Sequence, residues 1–518
     1  MVLEWISGGK KSKHPMADPR QARRIVAGLP ADDAAGALKE ITRLLESLAQ
    51  SEEFKLNRRF ENLDLLDIAS KGHEHKLLQQ YLATPRHKKS DEQRLWTDVY
   101  GFWRRLAEGY LQCLQQYEAI PGSTTLFKSI LPVIIVRALR ALGQQIKWIF
   151  LRYGLVEARI WGDLSRLYQF VETQGFVDEE IAAYPGPDGT STARREMLSA
   201  LMLAASSTDS LHPVEQVHSA TLVTHFSRLF VLGTKPEEGC THWFDLAVPE
   251  APSRLIGGGA TSSATARFFG AGPGLHELEQ LKAHIAYTDS LPQGLELYGD
   301  PGNDAVMSLL THLERNWEGK TQARRFERRK VATRVTVVPG LDEIVRVLEF
   351  ADNDSLDFTH LQSAESWIVE DLSEGGCGSV IPTMAGDWVG VGGLVGVEGG
   401  AFRDWSVGVI RRVTQNKERQ QRVGVELLCK ASALARLHNN SSKAPSAAAV
   451  SRAPAPIVLL APTLEGRKEV SAILGKGLAD RYEHMEVAVT GDNYLLIFRK
   501  MMERGESYDL ARFEVRHQ

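Results

Sequence analysis

Residues 324–329 combine side chains that are suited to binding an anionic ligand. They read Arg-Arg-Phe-Glu-Arg-Arg, so arginines recur at four-residue spacing, Arg324 with Arg328 and Arg325 with Arg329. Guanidinium groups are planar and permanently charged, and they hold phosphate through paired hydrogen bonds that each contribute about 1.5–3 kcal/mol. The segment therefore predicts a phosphate contact.

A second segment of interest, residues 371–376, follows at the end of an apolar, strand-like run. It supplies an acidic group, Asp371, a hydroxyl, Ser373, and two glycines, Gly375 and Gly376. A glycine at the last position permits a positive-φ turn or a close approach of two backbones. Placed opposite the arginines, these groups are suited to recognising the non-phosphate part of the same ligand.

The order and separation of the two segments resemble those of PilZ domains, which are bacterial receptors for the second messenger cyclic di-GMP. The family signature is Arg-x-x-x-Arg on an N-terminal loop, followed after a few tens of residues by Asp/Asn-x-Ser-x-x-Gly on a barrel strand. Both arginine pairs satisfy the first motif, with Arg325 and Arg329 the better fit, and the register stays open. Asp371, Ser373 and Gly376 fit the second motif without substitution.

The resemblance covers roughly residues 320–437 and implies a nucleotide receptor rather than a catalyst. Arginine can contact the phosphates or the N7/O6 edge of guanine, Asp371 can accept hydrogen bonds from guanine N–H groups, and Ser373 can bond a phosphate or a base heteroatom. The resemblance further implies that the arginine loop is mobile without ligand and closes over the nucleotide. The expected ligand-binding residues are Arg324, Arg325, Arg328, Arg329, Asp371, Ser373, Gly375 and Gly376.

Composition and charge limit the remaining classes of function. The chain has 518 residues, is 43% hydrophobic and carries a net charge of −4, which argues against bulk attraction to nucleic acid or to anionic lipid. The four cysteines are widely spaced, so we expect neither a metal site nor a disulfide framework, and a reducing cytoplasm is the simplest location. The N-terminus lacks the apolar core of a signal peptide, and the most apolar helix candidate, 127–153, is interrupted by charges. We therefore expect no membrane insertion. The carboxylates, serines and histidines show no arrangement that resembles a nucleophile elbow, a zinc-binding helix or a kinase-type set, so we also expect no enzyme activity and no cofactor.

The fold class expected is multidomain α + β, with a mostly α-helical N-terminal region, a PilZ-like antiparallel β-barrel and a small C-terminal β module. Apolar residues recur at helical spacing over much of the first three hundred positions. The predicted helices are 33–50, 92–117, 127–153, 156–174, 193–206, 213–232, 274–288 and 304–318. Short β-branched runs between turn residues then begin at about Lys330 and predict a barrel of five or six strands, followed by a helix at 428–437.

The predicted division of the chain has five parts. They are a flexible tail (1–19), helical domains (20–318), the PilZ-like barrel (319–437), a linker (438–455) and a small β-rich module (456–518). The last module lacks the two motifs, and we expect it to have a packing or partner role.

Three functions compete at this stage. The first is a cytoplasmic cyclic di-GMP effector whose helical region relays ligand binding to a protein partner controlling motility, biofilm formation or polysaccharide output. The second is a non-enzymatic helical scaffold whose degenerate barrel no longer binds nucleotide. The third is a nucleic-acid binder that uses its arginine run against phosphate, which the acidic net charge disfavours.

Overall fold

A computed structural model of the chain describes most of residues 14–517. The residues within that range that it does not describe are 85–88, 120–126, 128, 187–188, 256–262, 320–325, 353–362, 382–387, 401, 417, 419, 439–455 and 490. The chain divides into two compact units, one formed by Met1–Thr208 with Pro213–Thr321 and the other by Asp209–His212 with Gln322–Gln518.

The first unit is mainly helical. Its helices within the described residues are α1 (Pro19–Ala27), α2 (Ala34–Gln50), α3 (Leu56–Ala83), α4 (Lys89–Glu118), α5 (Leu131–Phe150), α6 (Ala158–Gln174), α7 (Ala193–Ala205), α8 (Pro213–Phe226), α9 (Gly274–Thr288) and α10 (Asn303–Trp317). The central helix is α5, which is buried on nearly all sides and contacts α4, α6, α7 and α8. Pro132 lies in its first turn, where a missing N–H removes no intrahelical hydrogen bond.

Polar side chains hold α3 in this core. Arg59 donates to the carbonyl oxygens of Leu48 and Ser51 at 2.6 and 2.7 Å, which satisfies the carboxyl end of α2. The buried carboxylate of Asp67 accepts a hydrogen bond from the Tyr110 hydroxyl at 2.7 Å. The helix therefore packs through hydrogen bonds as well as through apolar contacts.

Short strands complete the first unit. They are β1 (Ile181–Ala182), β2 (Thr190–Ser191), β3 (Val231–Gly233), β4 (His242–Asp245), β5 (Ser253–Arg254) and β6 (Ala266–Gly270). The last four form an antiparallel sheet in the order β3-β6-β4-β5. The helix predicted at 213–232 is too long, because α8 ends at Phe226 and Val231 already pairs with β6.

The second unit begins with a closed antiparallel barrel. Its elements are β7 (Arg329–Pro339), α11 (Gly340–Asp352), β8 (Glu365–Ser373), β9 (Gly376–Ile381), β10 (Leu394–Gly399), β11 (Phe402–Gln415) and β12 (Gln421–Cys429). The strands follow the order β10-β11-β12-β9-β8-β7, and β7 closes the barrel against β10. Gly340 has a φ of 71°, which lets the chain turn directly from β7 into α11.

A second closed antiparallel barrel follows in the same unit. Its strands are β13 (Ala433–His438), β14 (Pro456–Leu459), β15 (Glu469–Gly475), β16 (His484–Val489), β17 (Asp492–Arg504) and β18 (Tyr508–His517), in the order β13-β14-β15-β18-β17-β16. The predicted helix at 428–437 is wrong. Cys429 ends β12, and β13 pairs with β14 and β16. Although alanine and leucine favour helices, Ala435 and Leu437 are buried on one face of a strand, so strand pairing overrides their local preference.

The two barrels share a hydrophobic core. Buried residues of the first barrel and of α11, such as Val338 and Ile344, pack in one cluster with Ile473 and Tyr508 of the second barrel. Arg411 of β11 also bonds Glu503 of β17 at 2.8 Å. The two barrels are therefore joined through packing and through charge.

The predicted fold class is confirmed, with a helical N-terminal region and antiparallel barrels toward the C-terminus. No helix within the described residues has both the length and the apolar character needed to cross a membrane. Most of the predicted tail and nearly all of the predicted linker lie outside the described residues. The other domain boundaries stay predictions, although β13 places the start of the second barrel at Ala433, inside the range predicted for the first.

Candidate functional site

The Asp-x-Ser-x-x-Gly segment forms the turn between β8 and β9. Asp371 stands opposite Gly378, and Ser373 stands opposite Gly376, which leaves Glu374 and Gly375 as a two-residue turn. The Ser373 hydroxyl donates to the carbonyl oxygen of Gly376 at 3.0 Å. The serine therefore fixes the hairpin from which the aspartate projects.

The arginine segment reaches this hairpin through Arg328. Its Nη1 lies 2.8 Å from Asp371 Oδ1 in a charge-assisted hydrogen bond. The exposed fractions of the two side chains are 41% for Arg328 and 33% for Asp371, so water still reaches both groups. Such an exposed pair stabilises a fold by only about 0–1 kcal/mol, and a ligand can replace it at small cost.

Arg329 begins β7 and stands opposite Leu372 in the pairing with β8. Its side chain is exposed, and it forms no ion pair with the described part of the chain. Lys330 follows it opposite Asp371 and is exposed as well. Lys330 thus lies on the face of the sheet that carries Asp371, whereas Arg329 shares the face of Leu372, and both cations reach solvent.

Phe326 provides a second connection between the two segments. A Cβ atom added to Gly375 would lie 2.7 Å from the phenyl carbons Cδ2 and Cε2, so the ring rests directly on the bare backbone of the turn. Any side chain at this position would displace the ring. Gly375 is therefore needed for the arginine segment to lie against the hairpin.

Gly376 and Gly378 are required for close approach rather than for a positive φ, since neither is among the positive-φ glycines. A Cβ on Gly376 would lie 2.3 Å from the carbonyl oxygen of Val425 in the neighbouring strand. A Cβ on Gly378 would lie 2.6 Å from Asp371 Oδ2. Of the two possibilities predicted for Gly376, the structure has the close backbone approach.

A buried thiol lies beneath the turn. The pKa of Cys377 is raised to about 11, mainly by burial and in part by the charge of Asp371, against the opposing effects of a hydrogen bond with Ser379 and the charge of Arg328. The thiol is therefore protonated at neutral pH and is a poor nucleophile.

The structure brings together most of the residues predicted for the site. Arg328 contacts Asp371 directly, Ser373, Gly375 and Gly376 form the adjoining turn, and Arg329 begins the neighbouring strand. Arg324 and Arg325 lie outside the described residues. The ligand-binding roles of these two and of the other predicted site residues stay predictions.

Gly378 was missed by the sequence analysis. The sequence did offer an indication of it, because the Gly-Cys-Gly at 376–378 places a second residue without a side chain two positions after the last glycine of the motif. What the sequence lacked was the register that sets this glycine opposite Asp371. Within the described residues no group of three or more His, Cys, Asp or Glu side chains is arranged to hold a metal ion.

Comparison with known families agrees with this geometry. Residues 20–237 match the family described as the N-terminal domain of the cyclic-di-GMP receptor FimW. Residues 351–433 match the middle PilZ domain of the same receptor. No curated protein gives a significant match. Both matched families are receptor domains and not enzymes. Residues 351–433 of this chain are therefore a PilZ domain, and residues 20–237 are similar to the N-terminal domain of the cyclic-di-GMP receptor FimW.

Proposed function

We propose that the chain binds cyclic di-GMP between the arginine segment and the β8–β9 hairpin and passes ligand occupancy to a protein partner. The observation that carries the proposal is the 2.8 Å contact between Arg328 and Asp371, because it joins the two motifs at one point of the barrel. The ligand binds to the same cationic and acidic groups, and no bond of the ligand is broken.

The chemistry of the ligand matches the groups at this point. Cyclic di-GMP carries two phosphodiester charges, which favour contact with the exposed guanidinium of Arg329. Its guanines present N–H donors that suit the carboxylate of Asp371 and N7/O6 acceptors that suit arginine. Arg328 and Arg329 are both exposed, so either register of the motif, Arg324 with Arg328 or Arg325 with Arg329, stays open for holding the ligand.

The relay follows from the position of the arginine segment along the chain. Residues 320–325 connect α10, which ends at Trp317, to Phe326 and the first barrel. A ligand that fixes this segment restricts the orientations open to the helical unit, and the helical unit then acts on its partner. The expected setting is the cytoplasm, and the expected output is motility, biofilm formation or polysaccharide production.

Calorimetric titration of cyclic di-GMP into the full chain tests the proposal. We expect a Kd in the micromolar range or tighter, about −8 kcal/mol or better, and loss of the signal in Arg325→Ala, Arg329→Ala and Asp371→Ala. Arg436→Ala is the matched control, since this exposed arginine also forms a 2.8 Å ion pair, with Glu349, away from the motifs. Absence of heat with the folded wild-type chain would favour the alternative, a helical scaffold with a degenerate barrel.

A further inference from the structure

A large cleft opens in the helical unit, in a region for which no ligand has been assigned. Its volume is about 1720 Å³, and its walls come from α3, α5, α7, α8 and the loop 294–299. Pockets for small molecules measure about 300–1,000 Å³. The cleft is therefore large enough for a segment of polypeptide.

The lining of the cleft carries a surplus of positive charge. Its charged residues are Lys76, Arg140, Lys147, Arg195 and Arg228 against Glu196 and Glu296. Arg140 is bonded to Glu196 at 2.6 Å, and Arg195 pairs with Glu180. Burial lowers the pKa of Lys147, and the charge of Glu74 acts on it. The surplus therefore resides mainly in Lys76 and Arg228, which are both exposed.

Two of the cations lie close enough to affect each other. The pKa of Arg195 is lowered first by burial and then by the neighbouring charge of Arg228, against the charges of nearby carboxylates. Arg228 is exposed and forms no ion pair with the described residues. An acidic group placed between these guanidinium groups would relieve their repulsion.

Apolar side chains form another part of the lining. They are Ala200, Leu203, Val217, Val223, Leu295 and Leu297, and all are largely buried. Each exposes less than a tenth of its surface, so these side chains add a small apolar contact to a cleft whose selectivity comes mainly from charge. The cleft therefore suits a chain that carries both carboxylates and apolar side chains.

Hydrogen bonds fix one wall of the cleft. The ring of His218 on α8 bonds the carbonyl oxygen of Tyr298 at 2.8 Å. The hydroxyl of Tyr298 donates to the carbonyl oxygen of Gln79 on α3 at 3.4 Å. The loop 294–299 is thus tied to two helices, and the cleft is formed before any ligand enters.

We propose that this cleft docks an acidic segment of the partner protein in which carboxylates alternate with apolar side chains. The proposal rests on the proposed function, because it names the chemistry of the partner on which the helical unit acts. Charge complementarity selects the segment, and the apolar lining adds a small contact.

The test uses a library of random 12-residue peptides displayed on phage and selected on the immobilised full chain. The enriched peptides should be rich in Asp and Glu and should contain apolar residues. One enriched peptide, synthesised with a fluorescein label, should bind with a Kd that rises at least tenfold in Lys76→Glu/Arg228→Glu. Both replaced side chains are exposed, so the double variant should keep its fold. Arg43→Glu is the control, because Arg43 is an exposed arginine outside the cleft.

Three results would overturn the docking proposal. They are enrichment of neutral or basic peptides, peptide binding that is indifferent to the double charge reversal, and occupation of the cleft by inorganic pyrophosphate or ATP without any peptide binding.

Cyclic di-GMP titration of the same proteins separates failure of the docking proposal from failure of the proposed function. If only docking is wrong, the nucleotide still binds and no acidic peptide does. If only the nucleotide proposal is wrong, acidic peptides bind and the wild-type chain gives no heat with cyclic di-GMP.

Discussion

Replacing Gly378 with alanine tests the candidate site without removing any group that contacts the ligand. The new methyl group would lie 2.6 Å from Asp371 Oδ2 and 3.0 Å from its Cγ, which is well inside van der Waals contact. The atoms that must move belong to the far end of a side chain, so the strands can stay paired while the carboxylate swings away. The 2.8 Å contact between Asp371 and Arg328 is then lost.

The size of the effect follows from what the displaced carboxylate does in each state. In the free protein it forms an exposed ion pair, whose loss lowers the free energy of unfolding by about 0–1 kcal/mol. In the proposed complex it would accept charge-assisted hydrogen bonds from guanine, and losing one costs about 1.5–3 kcal/mol. Since about 1.4 kcal/mol is a factor of ten, Gly378→Ala should raise the Kd for cyclic di-GMP by about 10- to 100-fold.

The assay pairs calorimetric titration with thermal unfolding of the same protein. Gly424→Ala is the matched control, because Gly424 stands opposite Gly378 on β12 and its added Cβ would lie 3.4 Å from Arg412 Cβ, a contact that a slight shift relieves. The control should bind as the wild type does. Unchanged affinity in Gly378→Ala would refute the reasoning that Asp371 must hold this position, and a large fall in Tm would show that the methyl group disrupts the barrel instead.

Three further outcomes are expected. Gly376→Ala should destabilise the barrel by about 1–3 kcal/mol, because the new methyl group would lie 2.3 Å from the backbone oxygen of Val425. Urea unfolding measures this loss of stability, and an unchanged unfolding midpoint would contradict the prediction. Burial raises the pKa of Glu503, but the hydrogen bond and charge of Arg411, with smaller contributions from Tyr508 and His212, together lower it by more. Its stabilising contribution should therefore be present above about pH 4.5 and be lost as the pH falls through the lower folded pKa, and Glu503→Gln should weaken that acid dependence. Burial, aided by the charge of Arg254, lowers the pKa of His242 to about 4. As the pH falls, the unfolded chain therefore takes up a proton before the folded chain does, and the free energy of unfolding should fall between pH 6.5 and about 4. His242→Phe should reduce the slope of stability against pH in this range, and an equal slope in the variant would count against the assignment.

The hairpin could be predicted from the sequence because its chemistry is local. Asp, Ser and Gly within six residues specify a turn whatever the rest of the chain does, and Ser373 closes it onto Gly376. The glycine opposite Asp371 could not be predicted in the same way. Its role depends on the register between β8 and β9, and register is set by packing over the whole barrel.

The longest helix missed by the sequence analysis, α3, shows the limit of apolar periodicity. Its buried face includes Arg59, Asn62, Asp67 and Ser70, so the apolar spacing that marks a helix is interrupted. Arg59, Asn62 and Asp67 can be buried because other elements of the chain supply their hydrogen-bond partners. Ser70 bonds the backbone of its own helix. Nothing in the local sequence distinguishes such a face from an exposed one.

The pairing of Arg328 with Asp371 has a consequence for selectivity. A simple phosphate that binds the arginines would bring its negative charge toward Asp371, and the charge of that carboxylate would repel it. A ligand that joins phosphate to a guanine edge avoids this conflict, because its N–H groups replace the guanidinium at the carboxylate while its phosphates occupy the cations. The exposed pair costs little to open, so the aspartate weakens binding of ordinary anions more than it weakens binding of the cyclic dinucleotide.

On this reasoning Asp371→Ala should lose affinity for cyclic di-GMP and at the same time bind inorganic phosphate more tightly than the wild type does, which competition calorimetry can measure. Weaker phosphate binding in that variant would show that the carboxylate only orients Arg328.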